Sequence, residues 1–536
     1  MTNLEATGGV PGPGRIGRVA IGDILRKSAL RFPTRIALTD GARQVTYTEL
    51  ERDANRFANA LVARGLKPGE KISTICNNSV EFVKALFGIH RAGLVWVPIN
   101  TMLGPDDMSY ILDHAGVKFA VIDDNLHAQP ERRTALEARG VELLAIDLTG
   151  KAAETGLKSF GELIEGQSEI EPEIAFDDRD LAMIIYTSGT TSRPKGAMHC
   201  HLAVTMAVMS NAIELHITRQ DGITGQFPLF HCAAHVLLLS YLVVGGKMAI
   251  MRGFDPVACM EAVQRDKLTV FIGLPLMYQV ILDHPRRKEF DLSSLRCCIY
   301  TMAPMPRPLL ERAIAELCPT FVQPSGQTEM YPATTMSQPD RQLARFGNYW
   351  GESNLVNETA IMDDAGNLLP PGQVGEIVHR GPNVMLGYYK DPEATEAARK
   401  YGWHHTGDLA LIDEHGEVLF LDRKKDMIKS GGENVASVKI EETLLAHPAV
   451  MNAAVVGLPH PQWGEAVSAF VKLKPGADAT EAGILEHCKK HLGGFQVPKL
   501  IRIVEEMPMT ATGKLRKVEL RNQFSHYFET EQARSA

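Results

Sequence analysis

Stretches with helical periodicity alternate with short apolar runs, and this alternation restricts the fold more than any other feature of the chain. Near the start, the predicted order is helix 48–65, strand 71–76, helix 79–92, strand 94–98, helix 108–114 and strand 119–123. The alternation continues beyond residue 180. Repeated alternation of this kind predicts doubly wound α/β layers.

The chain of 536 residues is longer than one hydrophobic core usually organises, so we expect two or more domains. Residues 1–17 are rich in Gly and Pro and are predicted to form a flexible lead-in. A charge run at residues 422–426 is followed by about 110 residues, a usual domain size. We therefore predict an N-terminal domain at residues 18–424 and a C-terminal domain at residues 425–536.

Composition and charge exclude several classes of protein. Hydrophobic residues make up 45% of the chain and charged residues 22%, as in an ordinary globular enzyme, and the net charge of −8 offers no basic surface to nucleic acid. The eight cysteines lack C-x-x-C spacing and no secretory signal is evident, so we expect reduced thiols and a cytoplasmic protein. The longest apolar stretch, residues 236–244, is too short to span a membrane.

Residues 186–196 form the strongest local motif. Their sequence, Tyr-Thr-Ser-Gly-Thr-Thr-Ser-Arg-Pro-Lys-Gly, lies between a predicted strand at 181–185 and a predicted helix at 202–214. Glycines let backbone N–H groups approach an anion, hydroxyls donate hydrogen bonds and lysine adds a positive charge, so the composition suits a phosphate-binding loop. Pro-Lys-Gly replaces the Gly-Lys-Ser/Thr of a Walker A loop. Composition alone leaves an ordinary surface loop equally open.

Further motifs follow the loop in order. They are Pro228-Leu229-Phe230-His231, Gly326-Gln327-Thr328-Glu329, Gly375-Glu376-Ile377 with Gly387-Tyr388-Tyr389, Trp403-His404-His405-Thr406-Gly407-Asp408, Asp422-Arg423-Lys424-Lys425-Asp426 with Gly431-Gly432-Glu433-Asn434, and Pro508-Met509-Thr510-Ala511-Thr512-Gly513-Lys514. Together they resemble the motifs of the adenylate-forming superfamily, which includes acyl-CoA synthetases, nonribosomal peptide adenylation domains and beetle luciferases. The resemblance covers residues 46 to 517.

The resemblance implies both a fold and a nucleotide site. The fold is a large N-terminal domain of layered α/β subdomains with a smaller barrel-like piece, followed by a small, mobile α+β C-terminal domain. The residues implied to bind ATP or AMP are Thr187, Ser188, Gly189, Thr190, Thr191, Lys195, Gly326, Gln327, Thr328, Asp408, Arg423 and Lys514. Among them, Thr328 would contact the α-phosphate and Asp408 both ribose hydroxyls, while Glu329 would bind Mg²⁺.

The remaining implied roles concern the acid, coenzyme A and domain movement. His231 would act at the acyl site, whose floor would include Thr301, Met302 and Ala303. Lys514 would lie between the carboxylate and the α-phosphate, where a cation reduces the repulsion between two anions. Rotation at Lys425 would then remove Lys514 and admit coenzyme A beside Gly431 and Gly432.

Histidines near these motifs have other interpretations. His231 and His235 stand at i, i+4 spacing with Cys232 between them, as zinc ligands on a helix can, but no third ligand is evident. We therefore favour the acyl-site role for His231. His201 matches a family histidine and is expected to support the phosphate loop.

Three positions depart from the family pattern. Ser325 stands where an aromatic residue usually stacks on adenine, and the sequence 301–304 replaces Gly-Gly-Ala-Pro with Thr-Met-Ala-Pro. Side chains in place of glycine are expected to narrow the acyl pocket. Family members also more often have proline near Ser437.

The predicted activity is an ATP-dependent carboxylic acid–CoA ligase that uses Mg²⁺ and forms an acyl-adenylate before the thioester. A medium- or long-chain fatty acid is the first expectation, and an aryl or alicyclic acid is the alternative. An adenylation enzyme that loads a carrier protein, a luciferase-like oxygenase and a non-catalytic nucleotide sensor remain as rivals. The expected partners are the acid, ATP and coenzyme A, without nucleic acid, and a homodimer is left open.

Overall fold

The computed structural model describes residues 17–187, 193–301, 305–344, 348–509 and 515–528. The helices in these ranges are α1 (Ile21–Arg31), α2 (Tyr47–Ala63), α3 (Val80–Arg91), α4 (Pro105–Ala115), α5 (Asp124–His127), α6 (Pro130–Glu137), α7 (Phe160–Ile164), α8 (His201–Glu214), α9 (Cys232–Val244), α10 (Pro256–Asp266), α11 (Pro275–Asp283), α12 (Arg307–Glu316), α13 (Pro392–Ala397), α14 (Ser437–Leu445), α15 (Glu481–His491) and α16 (Lys517–Gln523). Short 3₁₀ turns occur at Ala152–Thr155, Arg287–Glu289, Thr328–Met330 and Pro339–Arg341.

The strands divide into those before and after residue 300. The first group is β1 (Ile36–Asp40), β2 (Arg43–Thr46), β3 (Lys71–Ile75), β4 (Val95–Pro98), β5 (Phe119–Asp123), β6 (Glu142–Ile146), β7 (Lys158–Ser159), β8 (Leu181–Thr187), β9 (Lys195–Cys200), β10 (Gly222–Gly225), β11 (Lys247–Ile250), β12 (Val270–Gly273) and β13 (Cys297–Tyr300). The second is β14 (Phe321–Ser325), β15 (Thr335–Ser337), β16 (Tyr349–Ser353), β17 (Glu358–Met362), β18 (Gly375–Arg380), β19 (Gly387–Tyr388), β20 (Arg399–Lys400), β21 (Trp403–Ile412), β22 (Val418–Arg423), β23 (Ile428–Ser430), β24 (Glu433–Val435), β25 (Val450–His460), β26 (Gly464–Leu473) and β27 (Leu500–Ile503).

The early elements agree closely with the predicted alternation. The helix predicted from residue 48 is α2, which begins with a capping box: the Thr46 hydroxyl accepts from the Glu49 N–H at 3.2 Å, and the Glu49 carboxylate accepts from the Thr46 N–H at 2.8 Å. The helix ends just before Gly65, whose φ of 81° suits glycine. The strand predicted at 119–123 is β5, which is buried throughout.

The described strands form three sheets. The first runs β17-β18-β21-β22-β16-β15-β14-β13-β12-β10-β11-β1-β2, with β20 beside β21. The second runs β19-β9-β8-β4-β3-β5-β6-β7, and the third runs β24-β23-β26-β25 with β27 beside β26. In the first sheet the pairs from β14 back to β1 are parallel, whereas those from β14 to β17 are antiparallel.

Helices between the first two sheets share one hydrophobic core with both of them. This core combines Leu25 of α1, Phe57 of α2 and Leu238 of α9 with Trp96 of the second sheet and Ile223 of the first. Because the sheets share a core, they are layers of one α/β unit. The third sheet, built from residues 428–503, has a core of its own with α14 and α15.

Ser437, at the start of α14, connects the third sheet's unit to β22. Its backbone N–H and its hydroxyl both donate to Oδ2 of buried Asp422, at 2.6 and 2.7 Å. Lys517 of α16 donates to the same hydroxyl at 2.7 Å and pairs with Glu441 at 2.8 Å. These bonds join β22 to the C-terminal helices. No helix in the described ranges is long and apolar enough to cross a membrane.

Candidate active site

The predicted phosphate loop connects two antiparallel strands. Thr187 at the end of β8 pairs with Lys195 at the start of β9, and the Thr187 hydroxyl donates to the Lys195 carbonyl at 3.4 Å. The helix predicted at 202–214 is α8, and β9, which the sequence did not predict, lies between the loop and this helix. Gly196 is required here because an added Cβ would lie 2.6 Å from Ile184. The loop residues Ser188, Gly189, Thr190 and Thr191 lie outside the described residues.

β19 brings the Gly387-Tyr388 motif against β9. Tyr388 pairs with Ala197, and its hydroxyl donates to Oε1 of Glu329 at 2.9 Å. Burial and the neighbouring carboxylate raise the pKa of Tyr388, so the phenol remains protonated and can donate. The Lys195 ammonium lies 5.2 Å from the centre of the Tyr388 ring. Lysine, phenol and carboxylate therefore meet at the end of the phosphate loop.

Glu329 has the free coordination that Mg²⁺ needs. Oε1 accepts the bond from Tyr388, and among the described residues Oε2 accepts none. No cluster of three or more His, Cys, Asp or Glu side chains in the described ranges is arranged to hold a metal ion. A single carboxylate fits Mg²⁺ well, because this ion is often bound by one or two carboxylates together with substrate phosphates and water.

Gln327 connects this corner to the predicted ribose site. Its side-chain amide donates to Oδ2 of Asp408 and to the Thr406 carbonyl, each at 3.0 Å. Asp408 of β21 is opposite Arg423 of β22, whose Nε lies 3.6 Å from Oδ1 of Asp408. The structure thus brings three of the predicted nucleotide-site residues together. Gly326, beside them, has no room for a side chain, because a Cβ would lie 2.7 Å from Pro332.

Thr328 is contacted by residues that the sequence did not single out for this role. Its carbonyl accepts a hydrogen bond from Nε2 of His199 at 2.8 Å, and its hydroxyl lies 3.5 Å from the Cys232 sulfur. His201, expected to support the phosphate loop, instead accepts from the Ile21 N–H at 3.5 Å and packs on the ring of Phe176. The position of His199 just after the phosphate-loop motif was the available signal in the sequence. Its partner, Thr328, is distant in the sequence and becomes a neighbour only in the folded chain.

The predicted acyl-site residues lie at the start of α9 and the end of β13. His231 caps α9, where its Nδ1 accepts from the Ala233 N–H at 3.4 Å. The Thr301 hydroxyl donates to the Pro324 carbonyl at 3.3 Å, so the end of β13 is joined to β14. Met302 and Ala303 lie outside the described residues.

In the C-terminal part, the predicted coenzyme A residues form the turn between β23 and β24. Gly431 and Gly432 have φ values of 60° and 89°, and the Gly431 N–H donates to the Trp463 carbonyl at 2.8 Å. Lys425 occupies the turn between β22 and β23. Lys514 lies outside the described residues, although its flanks are close together because Met509 and Leu515 pair as an antiparallel bridge.

Comparison with known proteins identifies the family. Residues 25–389 match the model of AMP-binding enzymes, and residues 439–514 match the AMP-binding enzyme C-terminal domain. A feruloyl-CoA synthase of Amycolatopsis sp is 34% identical over 503 residues, which cover 93% of this chain and 98% of that protein. A long-chain-fatty-acid–CoA ligase of Mycobacterium tuberculosis is 31% identical over 515 residues, covering 94% of this chain and 98% of the relative.

A solved structure supports the same assignment. An anthranilate CoA ligase in complex with anthranoyl-AMP superposes with a TM-score of 0.85 at 26% identity, over 94% of this chain and 97% of the other. Both family models match in order, and the first covers Lys195, Gln327, Glu329 and Tyr388, whereas Asp408, Arg423 and Gly431 lie between the two matches. The chain belongs to the AMP-binding enzymes of the adenylate-forming superfamily.

Proposed function

We propose that this protein joins a ring-containing carboxylic acid to coenzyme A. The chain is an AMP-forming acid–CoA ligase that uses ATP, Mg²⁺ and coenzyme A. The observation that supports this site most directly is that Tyr388 contacts both Lys195 and Glu329. Gln327, two residues before Glu329, donates to Asp408. A cation, a fixed carboxylate and a ribose-binding acid are what positioning of Mg·ATP requires.

In the first half-reaction, an oxygen of the acid attacks the α-phosphorus of ATP, and the bond to the pyrophosphate oxygen breaks. The Lys195 ammonium would stabilise the negative charge of the β- and γ-phosphates, and the Thr328 hydroxyl would donate a hydrogen bond to the α-phosphate. Glu329 would hold Mg²⁺, which neutralises charge on the phosphoryl oxygens when bound. Asp408 and Arg423 orient the ribose, so that the α-phosphate is held in line with the acid.

In the second half-reaction, the coenzyme A sulfur attacks the acyl carbon and AMP leaves. We infer that the domains divide as residues 18–424 and 425–536 and that the second rotates at Lys425 between the two half-reactions. The separate sheet and core of residues 428–503 support this division. The exposed glycine turn at Gly431 and Gly432 is the proposed coenzyme A contact, and Lys514 the proposed adenylation lysine.

The choice of acid rests on the acyl site and on the relatives. The acyl-site residue His231 is followed at the start of α9 by three small residues, Cys232, Ala233 and Ala234. Feruloyl-CoA, in the name of one relative, and anthranoyl-AMP, in the complex of one solved structure, both carry aromatic rings. A fatty acid is the second candidate, supported by the long-chain relative and by the apolar length of α9.

The test is pyrophosphate release with Mg·ATP against matched panels of aryl, alicyclic and fatty acids, each with and without coenzyme A. We expect steady release that needs both an aryl or alicyclic acid and coenzyme A, with the acyl-CoA identified by mass. A preference for fatty acids would replace the proposed substrate class. A single burst of release that coenzyme A does not convert to steady release would favour carrier loading, and steady release without coenzyme A would favour oxygenation.

A further inference from the structure

His199 is a fully buried side chain whose contact reaches the candidate site. Its Nε2 lies 2.8 Å from the Thr328 carbonyl, and because a carbonyl can only accept, Nε2 must carry the proton. Nδ1 has no hydrogen-bond partner among the described residues. Burial lowers the pKa of His199 to about 4, so a neutral imidazole makes this bond near neutral pH.

Tyr331 ends the same turn, as the residue directly after Thr328–Met330. It is fully buried with a φ of 26°, a conformation uncommon for any residue other than glycine. Its N–H donates to the Thr328 carbonyl at 3.3 Å, and its hydroxyl forms a hydrogen bond with Nδ1 of His235 on α9. The rings of Tyr331 and His199 are 5.3 Å apart and steeply inclined. The Thr328 carbonyl therefore accepts from two donors that pack against each other.

His199 and Tyr331 each cost free energy of folding that a more ordinary residue at the same position would avoid. A strand interior accepts Val or Leu without the desolvation of an imidazole, and a glycine would adopt the backbone of Tyr331 without strain. His199 nevertheless places one nitrogen on the turn and leaves the other without a partner. The common feature of both unusual residues is the Thr328 carbonyl.

We propose that His199 is a positioning residue for Thr328, supported by Tyr331 and His235. His199 lies on β9, which begins with Lys195, and His235 lies on α9, which His231 caps. These contacts thereby fix the positions of β9, α9 and the 3₁₀ turn at Thr328–Met330 relative to one another. The inference rests on the proposed function, since it assigns the Thr328 hydroxyl to the α-phosphate.

The test compares His199→Leu with His199→Gln in acid-dependent ATP–pyrophosphate exchange. Leucine removes the donor, whereas the glutamine amide can still donate to the carbonyl. We expect His199→Leu to lower kcat about three- to tenfold, the effect of one neutral hydrogen bond, with KM for ATP and acid changed by less than about twofold. His199→Gln should recover most of the loss. Tyr331→Phe, which removes only the hydroxyl, should lower kcat about two- to threefold.

His90→Leu is the matched control. His90 is also fully buried, and its ring nitrogens have no hydrogen-bond partner among the described residues. It lies on α3, where its ring packs against Trp96 and His201 rather than against Thr328 or His199. This variant should keep the wild-type kcat whatever its melting temperature. If His199→Leu and Tyr331→Phe both keep the wild-type kcat, or if glutamine is as defective as leucine, the positioning role is wrong. Absence of exchange in the wild-type protein with every acid would instead overturn the proposed function itself.

Discussion

At the scale of single residues, Asp408 is oriented by protein contacts alone. Oδ2 accepts from Gln327, and Oδ1 faces Arg423 across the β21–β22 pair. The carboxylate is mostly buried, with 9% of its side chain exposed, so its remaining acceptor directions are restricted. A carboxylate fixed in this way can select a ligand with two adjacent hydroxyls.

Asp408→Ala should weaken discrimination between ATP and 2′-deoxy-ATP. If Asp408 accepts from the ribose hydroxyls, its removal should raise KM for ATP roughly 10- to 100-fold, the range for hydrogen bonds to a charged group, and raise that for the deoxynucleotide less. The measurement is the ratio of kcat/KM for the two nucleotides. Asp413→Ala, on the turn after β21, is the control, since its Oδ1 accepts from local backbone N–H groups, at His415 and Glu417. An unchanged ratio in Asp408→Ala would remove the ribose role.

At the scale of elements, the sequence predicted what local periodicity and capping determine. The helix from Thr48 and the strand at 119–123 agree with α2 and β5 because capping and continuous burial both act locally. β9 was not predicted, because its sequence, Lys-Gly-Ala-Met-His-Cys, has no strand periodicity. It pairs with neighbouring β8 on one side and, on the other, with β19, which is nearly 190 residues away in the sequence. The contact of His199 with Thr328 escaped prediction for the same reason.

The resemblance, rather than periodicity, identified the site residues that the structure brings together. Gln327, Asp408 and Arg423 come from β14's end, β21 and β22, and only the first sheet's antiparallel pairing makes them neighbours. The sequence around each residue does not indicate which strands will pair. The Tyr388 hydroxyl lay inside a recognised motif, yet its bond to Glu329 follows from β19 joining the second sheet.

The bond between Ser437 and Asp422 is an element-scale feature that a proline at this position would exclude. Proline has neither the N–H nor the hydroxyl that Ser437 donates. Asp422 lies three residues before the proposed hinge at Lys425, so the bond connects β22 to the domain that is proposed to rotate. It should therefore favour one domain arrangement over the other.

Ser437→Ala should change the two half-reactions unequally. Alanine keeps the N–H but removes the hydroxyl between Asp422 and Lys517, and we expect a loss of about 1–3 kcal/mol in the free energy of unfolding, the cost of leaving a charged partner unsatisfied. Because the lost bond belongs to one arrangement, the ratio of adenylation to thioester rates should shift in single-turnover assays. Thr443→Ala on the same helix is the control, since its hydroxyl donates to the Lys439 carbonyl within that helix. Equal changes in both rates would separate this bond from domain movement.

At the scale of the whole molecule, one site must serve two reactions. The proposed nucleotide contacts Lys195, Glu329 and Asp408 precede the proposed hinge in the sequence, whereas the proposed adenylation lysine, Lys514, and the turn at Gly431 follow it. Adenylation needs a cation between two anions, and thioester formation needs that place to be open to a thiol. A hinged second domain satisfies both requirements with a single set of nucleotide contacts.

Lys514→Ala tests this division of labour. Loss of one preorganised donor should slow formation of acyl-adenylate about 10²–10³-fold and leave thioester formation from supplied acyl-adenylate nearly unchanged. Rapid-quench measurement of each half-reaction separates the two. Lys489→Ala is the matched control, because Lys489 lies on α15 and pairs with exposed Glu486 on the same helix. If Lys514→Ala slows both half-reactions equally, the lysine acts through folding or nucleotide binding and not in adenylation alone. That result would remove the mechanistic argument for a hinge at Lys425.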